Sequence, residues 1–198
     1  MRMQGIDIIV PIYNAYEDLV KCIDSVKRHT DFSLHRLILI NDCSTDERIL
    51  PYIRSEETEH IIVIDNEQNA GFSNNVNKGM LYSDDRDVLL LNSDTIVTEN
   101  WIEKIVACAY SKTEIGTVTP MSNSATLCSY PIMCMDNDIP ENWTVDTLAQ
   151  VVERCSMKIY PRITVAVGFC MFIKRETIEN VGLFDAETFE RGYGEEND

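Results

Sequence analysis

The chain has 198 residues, of which 44% are hydrophobic and 25% are charged, with only 8 glycines and 6 prolines. This composition excludes disordered, collagen-like and low-complexity proteins, and the length predicts one packed domain. The 17 basic and 33 acidic residues give a net charge of −16, which repels phosphate backbones and anionic lipids, so nucleic acid is not an expected partner.

The first half of the sequence alternates strand-like apolar runs with helical patterns. Residues 6–12 form a β-branched run, and apolar side chains then recur at helical spacing from Tyr16 to Val26. Asn14 and Glu17 have the spacing of a capping box at the start of this helix. Further strands are predicted at 37–40, 61–64 and 88–91. Further helices are predicted in a short stretch through Arg54, at 71–82 and after Asn100 as N-cap.

The regular alternation of strand and helix patterns ends after residue 116. A strand is predicted to begin at Val118, a polar excursion covers 120–143, and a helix at 145–155 precedes a strand at 165–173. Short, nearly continuous apolar strands separated by helices are typical of a parallel sheet covered on both faces. The expected fold is therefore α/β, with a mostly parallel central sheet flanked by helices. The sequence contains no linker or internal repeat, so both halves are expected to form one domain.

Seven cysteines are scattered through the chain without a C-x-x-C pair, and there are three histidines. This pattern predicts neither a zinc site nor a disulfide framework and suits a reducing cytosol. No stretch approaches the roughly 18 apolar residues of a membrane span. The expected location is cytoplasmic, with any attachment to the inner face of the membrane supplied by parts outside this chain.

Polar residues directly after the predicted strands are the candidates for a ligand site, because open α/β sheets bind ligands beyond the carboxyl ends of their strands. These residues are 11–14, 41–46 and 92–94. The sequence has neither the G-x-G-x-x-G string of dinucleotide-binding dehydrogenases nor a P-loop. Both of those nucleotide-binding classes are therefore disfavoured.

Five segments together resemble the GT-A glycosyltransferases of the large inverting family two, of the rhamnosyltransferase-like kind. They are VPIYNAYEDLVKCIDSV (10–26), LILINDCSTD (37–46), NAGFSNNVNKGM (69–80), LLLNSDT (89–95) and GLFDAETFERGYGEEND (182–198). Their order and spacing match the family along nearly the whole chain. The resemblance implies a single GT-A catalytic domain over 1–198, with a nucleotide-binding half at 1–115 and an acceptor-side half at 116–198. It also leads us to expect that the chain is truncated after Asp198.

The first two segments are predicted to bind the nucleoside. Pro11 fixes the backbone at a strand exit, and the ring and hydroxyl of Tyr13 suit packing against a nucleobase. In the family that the chain resembles, an Asp at the position of Asp42 accepts a hydrogen bond from a base N–H. Turn chemistry is the alternative role for Asp42, since Asn, Asp, Ser and Thr all favour Asx-type turns.

The third segment flanks a predicted helix with Asn and Gly residues that allow close backbone approach, although helix capping is the simpler explanation for them. Together with the other candidates they complete the predicted nucleotide-binding set: Pro11, Tyr13, Asn14, Asp42, Asn69, Gly71, Asn77, Asn92 and Ser93.

The string Asn92-Ser93-Asp94 stands where the resembling family has Asp-X-Asp. The family's last carboxylate binds a divalent ion that bridges the diphosphate, which assigns Asp94 as the ligand of Mn²⁺ or Mg²⁺. Such hard cations take few protein oxygens and several from phosphate and water. Asn92 brings no charge but can bond a ribose hydroxyl. The alternative for Asp94 is a cap of the following turn.

The last segment carries the predicted general base. The family pattern there is Gly-Glu-Asp, and matching residue by residue puts Glu196 in the place of the catalytic Asp, with Glu195 beside it. The two carboxylates are therefore the predicted catalytic residues, with the choice between them open. A solvated acidic terminus is the alternative, because residues 176–198 hold eight acids and one base.

The resemblance implies transfer of a sugar from a nucleoside-diphosphate donor, UDP- or dTDP-linked by preference, to a hydroxyl of a carbohydrate or glycolipid acceptor with inversion. The setting would be polysaccharide or glycoconjugate synthesis. Two alternatives stay open: a sugar-1-phosphate nucleotidyltransferase, and a sugar-nucleotide-binding module or inactive fragment. The sequence gives no indication of the oligomeric state.

Overall fold

The computed structural model describes residues 5–83, 85–189 and 194. The predicted base residues Glu195 and Glu196 lie outside the described residues. Twelve elements follow one another along the described chain: β1 (Ile6–Ile12), α1 (Tyr16–His29), β2 (Arg36–Asn41), α2 (Ile49–Ser55), β3 (Ile61–Asp65), α3 (Phe72–Tyr82), β4 (Asp87–Leu91), α4 (Trp101–Ala109), β5 (Thr117–Val118), α5 (Val145–Cys155), β6 (Cys170–Ile173) and α6 (Arg175–Val181).

The strands form one mixed sheet in the order β3-β2-β1-β4-β6-β5. The first four strands are parallel, whereas β6 runs antiparallel to both β4 and β5. The expected α/β fold with a mostly parallel sheet is confirmed. The predicted strand at 165–173 is shorter than expected, since only Cys170–Ile173 pairs in the sheet.

Helices cover both faces of the sheet because successive side chains of each strand point to opposite faces. On one face, Ile8 and Leu37 belong to a cluster with residues of α1, α2 and α4. On the other face, Ile9 and Ile40 pack with residues of α3. Gly79 brings α3 close to this second face: a Cβ at that position would lie 2.6 Å from Ile9 Cγ2 and 2.8 Å from Ile40 Cδ1.

The predicted capping box of α1 is wrong. The N-cap residue is Ala15 in a left-handed conformation, and it makes no side-chain capping bond. Asn14 is also left-handed, with φ 60°, and its Oδ1 instead accepts from the backbone N–H groups of Thr45 at 2.9 Å and Asp46 at 3.1 Å. The Asn14 carboxamide therefore joins the loop after β1 to the loop after β2. Asn100 is the N-cap of α4 as predicted, but without a side-chain capping bond.

Across the described ranges, the helices are too short or too polar for any of them to cross a bilayer. The longest of them, α1, has 14 residues.

Candidate functional site

A cleft opens at the carboxyl ends of β1, β2 and β4. The chain leaves β1 toward β2 and β3 on one side and returns to pair β4 on the other side of β1. Strand order therefore reverses at β1, and such a switch point is where open α/β sheets bind ligands. The cleft has a volume of about 1130 Å³, somewhat above the roughly 300–1,000 Å³ of small-molecule pockets.

Eight of the predicted binding residues line this cleft: Pro11, Tyr13, Asp42, Asn69, Gly71, Asn92, Ser93 and Asp94. The strand register brings them together, because Ile12 at the end of β1 pairs with Asn41 at the end of β2. Tyr13 is 53% exposed, so this residue is accessible to a ligand in the cleft. The separate sequence segments thus converge on one place in the fold.

Asp42 is buried, and its carboxylate is already engaged by the protein. Oδ1 accepts from the backbone N–H of Ala70 at 2.8 Å and from Asn66 Nδ2 at 2.9 Å, and Oδ2 accepts from the backbone N–H of Gly71 at 3.0 Å. A carboxylate has about four acceptor positions, so these bonds leave room for one more donor. Asp42 therefore fixes the loop before α3 and has one acceptor position that these bonds do not use.

Asp94 differs from Asp42 because its carboxylate is exposed, and no hydrogen bond within the described part of the chain engages it. The loop beneath it is fixed by the backbone: the Asn92 N–H donates to the Phe169 carbonyl at 2.8 Å, and the Thr95 N–H donates to the Asn92 carbonyl at 3.1 Å. A rigid loop thus presents an uncommitted carboxylate to the cleft.

The Cys22 thiol lies under the same loop, with its Sγ 3.6 Å from the Asn92 carbonyl oxygen. Burial, and to a smaller extent the negative charge of Asp94, raise the pKa of Cys22 to about 12. The thiol is therefore protonated at neutral pH and is not a nucleophile for this site.

Asn14 and Asn77 are not among the described residues that line the cleft. Asn14 joins two loops as shown above. Asn77 bonds the backbone of Phe184: its Nδ2 donates to the carbonyl at 2.8 Å, and its Oδ1 accepts from the N–H at 3.1 Å.

Other residues that line the cleft were missed by the sequence analysis. They come from the polar excursion, from the residues directly before β6 and from the segment after α6: Ser124, Ala125, Thr126, Val167, Gly168, Phe169, Ala186 and Glu187. The residues before β6 carry no local signal for a site, because long-range contacts place them: the Val167 N–H donates to Thr119 Oγ1 at 3.0 Å, and the Phe169 carbonyl accepts from the Asn92 N–H at 2.8 Å. Glu187 lies in the GLFDAET string that resembled the family, but that string drew attention only to the later carboxylates.

The charged side chains among the described lining residues are all acidic: Asp42, Asp94 and Glu187. A diphosphate in this cleft would meet negative charge from each of them. The described residues contain no group of three or more His, Cys, Asp or Glu side chains suited to hold a metal. A single exposed carboxylate such as Asp94, completed by ligand and water oxygens, is a donor set that Mg²⁺ and Mn²⁺ accept.

Comparison with known proteins agrees with this geometry. The profile of the family described as Glycosyl transferase family 2 matches residues 7–182. The minor teichoic acid biosynthesis protein GgaB of Bacillus subtilis is 33% identical over 101 residues, which are 50% of this chain and 11% of GgaB. The chain thus spans a small part of this relative.

Two solved structures share the fold at low sequence identity. GalNAc-T7 with UDP, GalNAc and Mn²⁺ superposes with a TM-score of 0.68 and 16% identity, covering 99% of this chain and 40% of GalNAc-T7. The mannosyltransferase PcManGT of Pyrobaculum calidifontis, in complex with GDP-Man and Mn²⁺, superposes with a TM-score of 0.62 and 14% identity. The match covers 92% of this chain and 48% of PcManGT. These likenesses establish the GT-A fold. With the family match over most of its length, the chain belongs to glycosyl transferase family 2.

Proposed function

We propose that the chain binds a nucleoside-diphosphate sugar in the cleft and transfers the sugar to an acceptor hydroxyl with inversion. The observation that carries this proposal is the uncommitted Asp94 carboxylate at the switch point of a family 2 chain. The eight converging site residues support it, since they bring an exposed ring, amide groups and carboxylates to one cleft. A buried carboxylate, a ring and a few amides are the kind of polar set that orients a nucleotide.

Asp94 is the residue that we propose to hold Mn²⁺ or Mg²⁺. Its place in an acidic cleft supports this, because a diphosphate bound there without a cation would be repelled. The bound ion would neutralise the diphosphate and stabilise it as a leaving group. Asn92 would bond a ribose hydroxyl, and the backbone bond from Asn92 to Phe169 at 2.8 Å would hold it in place.

The nucleobase would lie near Tyr13 and Asp42. The exposed Tyr13 ring is suited to stack on it, and the remaining acceptor position of Asp42 is suited to a base N–H. UDP- or dTDP-sugars stay our preferred donors. The two solved structures were obtained with UDP and with GDP-Man, so guanosine donors belong in the test.

The base is proposed to be Glu196, with Glu195 as its neighbour. It would take the proton from the acceptor hydroxyl as that oxygen attacks the anomeric carbon from the face opposite the leaving diphosphate. Displacement in this direction inverts the configuration. Among the described carboxylates, Glu187 is the nearest in sequence to Glu195 and Glu196, and it lines the cleft. It is therefore the control residue for the assignment of the base.

The acceptor is proposed to be a carbohydrate or glycolipid in the synthesis of a cell-surface polymer. GgaB, a protein of minor teichoic acid biosynthesis, is similar to half of this chain, and this similarity supports that setting. A cytoplasmic location fits the use of nucleotide sugars, and it too is a proposal.

The experiment is a thermal-shift screen of UDP-, dTDP-, GDP- and CDP-sugars with Mn²⁺, followed by an assay of nucleoside diphosphate release with carbohydrate acceptors. We expect one donor class to stabilise the protein and an acceptor to increase release. Stabilisation with no release, with any acceptor, would favour a binding module. No stabilisation by any nucleotide sugar would refute the proposal.

A further inference from the structure

The segment at residues 183–189, called the α3-bound segment below, reaches the cleft through Ala186 and Glu187. It is tied to α3 by two side chains. Asn77 bonds both the N–H and the carbonyl of Phe184, and Ser73 Oγ donates to the Phe189 carbonyl at 2.8 Å. Ser73 and Asn77 lie four residues apart, so they share one face of the helix.

A carboxamide is the side chain suited to the contact made by Asn77. It offers a donor and an acceptor side by side, as a neighbouring strand would, and so satisfies both backbone groups of one residue. Serine offers one oxygen and a carboxylate offers acceptors only. The contact joins residues that are 107 positions apart, which means that it fixes tertiary structure and not the helix itself.

Between the two anchors the α3-bound segment is internally rigid. Asp185 Oδ1 accepts from the backbone N–H groups of Glu187 and Thr188, both at 3.0 Å, and the Phe189 N–H donates to the Asp185 carbonyl at 3.0 Å. The Thr188 side chain, and then the backbone N–H groups of Thr188 and Glu187, hold the pKa of Asp185 below its ordinary value by hydrogen bonding to its carboxylate. A turn closed in this way moves as one body, so its position depends on its anchors.

The donor side of α3 is held by different contacts. Asp42 binds the amides of Ala70 and Gly71 before the helix, and Asn75 Nδ2 donates to the Ile40 carbonyl at 3.2 Å. Loss of the Asn77 carboxamide would therefore loosen the α3-bound segment, which Ser73 and the packing of Leu183 and Phe184 would still hold, while leaving the donor residues in place. The start of α3 is thus bonded to Asp42 on the donor side of the cleft. One turn later the same helix holds the segment that brings Ala186 and Glu187 to the cleft.

We propose that Asn77 is a positioning residue for sugar transfer: it sets the place of the α3-bound segment relative to the donor and does not itself bind the nucleotide. This inference rests on the proposed function, and it assigns Asn77 a different role from the one predicted by the sequence. The segment leads along the chain toward Glu195 and Glu196, so an error in its position would act on the acceptor side of the reaction.

The test compares Asn77→Ala and Ser73→Ala with Asn180→Ala. Asn180 is a matched control, because its Nδ2 also donates to a backbone carbonyl, that of Glu176 at 2.8 Å, on the exposed face of α6. Hydrogen exchange at 184–189 is measured first, since it needs no substrate. We expect exchange there to rise roughly tenfold or more in Asn77→Ala, less in Ser73→Ala, and not in Asn180→Ala.

Calorimetry with Mn²⁺ and the nucleoside diphosphate of the best donor from the UDP, dTDP, GDP and CDP screen then gives affinity and stoichiometry. A partly unfolded variant would show a stoichiometry below that of wild type, whereas a positioning defect would not. For Asn77→Ala we expect wild-type stoichiometry, affinity within about twofold, and kcat lowered roughly ten- to hundredfold with little change in donor KM.

Unchanged exchange at 184–189, or an unchanged kcat per binding-competent molecule, would overturn the proposal. Weakened nucleotide affinity in Asn77→Ala would also overturn it, because that result would indicate that Asn77 contributes to nucleotide binding. If wild type neither binds a nucleotide nor turns over, the proposed function fails, and this inference fails with it even if the exchange result stands.

Discussion

Asp42, the first residue after β2, accepts a hydrogen bond at 3.0 Å from the backbone N–H of Gly71, the residue directly before α3. Gly71 has φ 80°, a conformation that glycine adopts without strain. The N–H groups at a helix start lack partners within the helix, and a carboxylate there also interacts well with the helix dipole. Asp42 therefore acts as a cap for α3 that is supplied by another element.

The substitution Asp42→Asn should destabilise the fold. Ala70 and Gly71 donate to different oxygens of the carboxylate, so either orientation of an asparagine amide turns an NH₂ group toward one of these N–H groups. Leaving one such donor unpaired costs about 1–3 kcal/mol. Urea unfolding measures this loss.

The control for Asp42→Asn is Asp18→Asn. Asp18 is exposed and pairs with Lys21 three residues away, and such surface pairs contribute about 1 kcal/mol or less. Equal unfolding free energies for the two variants would contradict the capping role. An unchanged ranking of UDP, dTDP, GDP and CDP affinities in Asp42→Asn would show that Asp42 does not read the base.

Gly79→Ala should also destabilise the protein, although alanine favours helices by about 1 kcal/mol over glycine. The added Cβ would lie 2.6 Å from Ile9 Cγ2 and 2.8 Å from Ile40 Cδ1, and both side chains are fully buried in the sheet. Overpacking of a filled core costs about 1–3 kcal/mol, so the clash outweighs the helix preference.

Thermal unfolding of Gly79→Ala and Gly168→Ala measures this difference. A Cβ at Gly168 would meet nothing within 4 Å, so that variant should keep wild-type stability. A Gly79→Ala protein more stable than wild type would show that α3 can move away from the sheet without loss.

The stability of the fold should depend on His35 below neutral pH. His35 is 1% exposed, its Nδ1 accepts from the Ile6 N–H at 3.1 Å, and its Nε2 has no partner within the described chain. Burial lowers the pKa of His35 below its ordinary value of 6.5. The unfolded chain therefore binds a proton first as the pH falls through 6.5, so stability decreases from there until the folded pKa is passed.

Urea unfolding at several pH values between 7.5 and 5 tests this dependence. His35→Gln, which keeps an acceptor near Ile6, should lower the stability at pH 7.5 but flatten the fall toward pH 5. His60→Gln removes a histidine that is 40% exposed and should keep the wild-type slope. A wild-type slope in His35→Gln would place the titrating group elsewhere.

The sequence predicted several elements well because their signals are local. The run Ile6–Ile12 and the helix Val145–Cys155 have the predicted bounds, and polar residues after buried strands marked the cleft. It did not predict that Asn14 bonds Thr45 and Asp46, because this depends on two loops meeting in space.

The same limit applies to the rest of the site. The antiparallel pairing of Leu91 with Cys170 brings residues 167–169 to the cleft across almost eighty positions of sequence, and no local pattern encodes that pairing. Likewise, Asn77 was recognised as a motif residue, but its partner Phe184 is visible only in the fold.

Calorimetric titration of UDP, with and without Mn²⁺, tests the central claim most directly: nucleoside diphosphates bind this acidic cleft through a divalent ion held by Asp94. Wild type should bind UDP clearly more tightly with Mn²⁺. Asp94→Asn should weaken this metal-dependent binding by at least about tenfold, Asn92→Ala should weaken it less, and the exposed Asp138→Asn should not change it. Equal affinity of wild type and Asp94→Asn in the presence of Mn²⁺ would contradict the account.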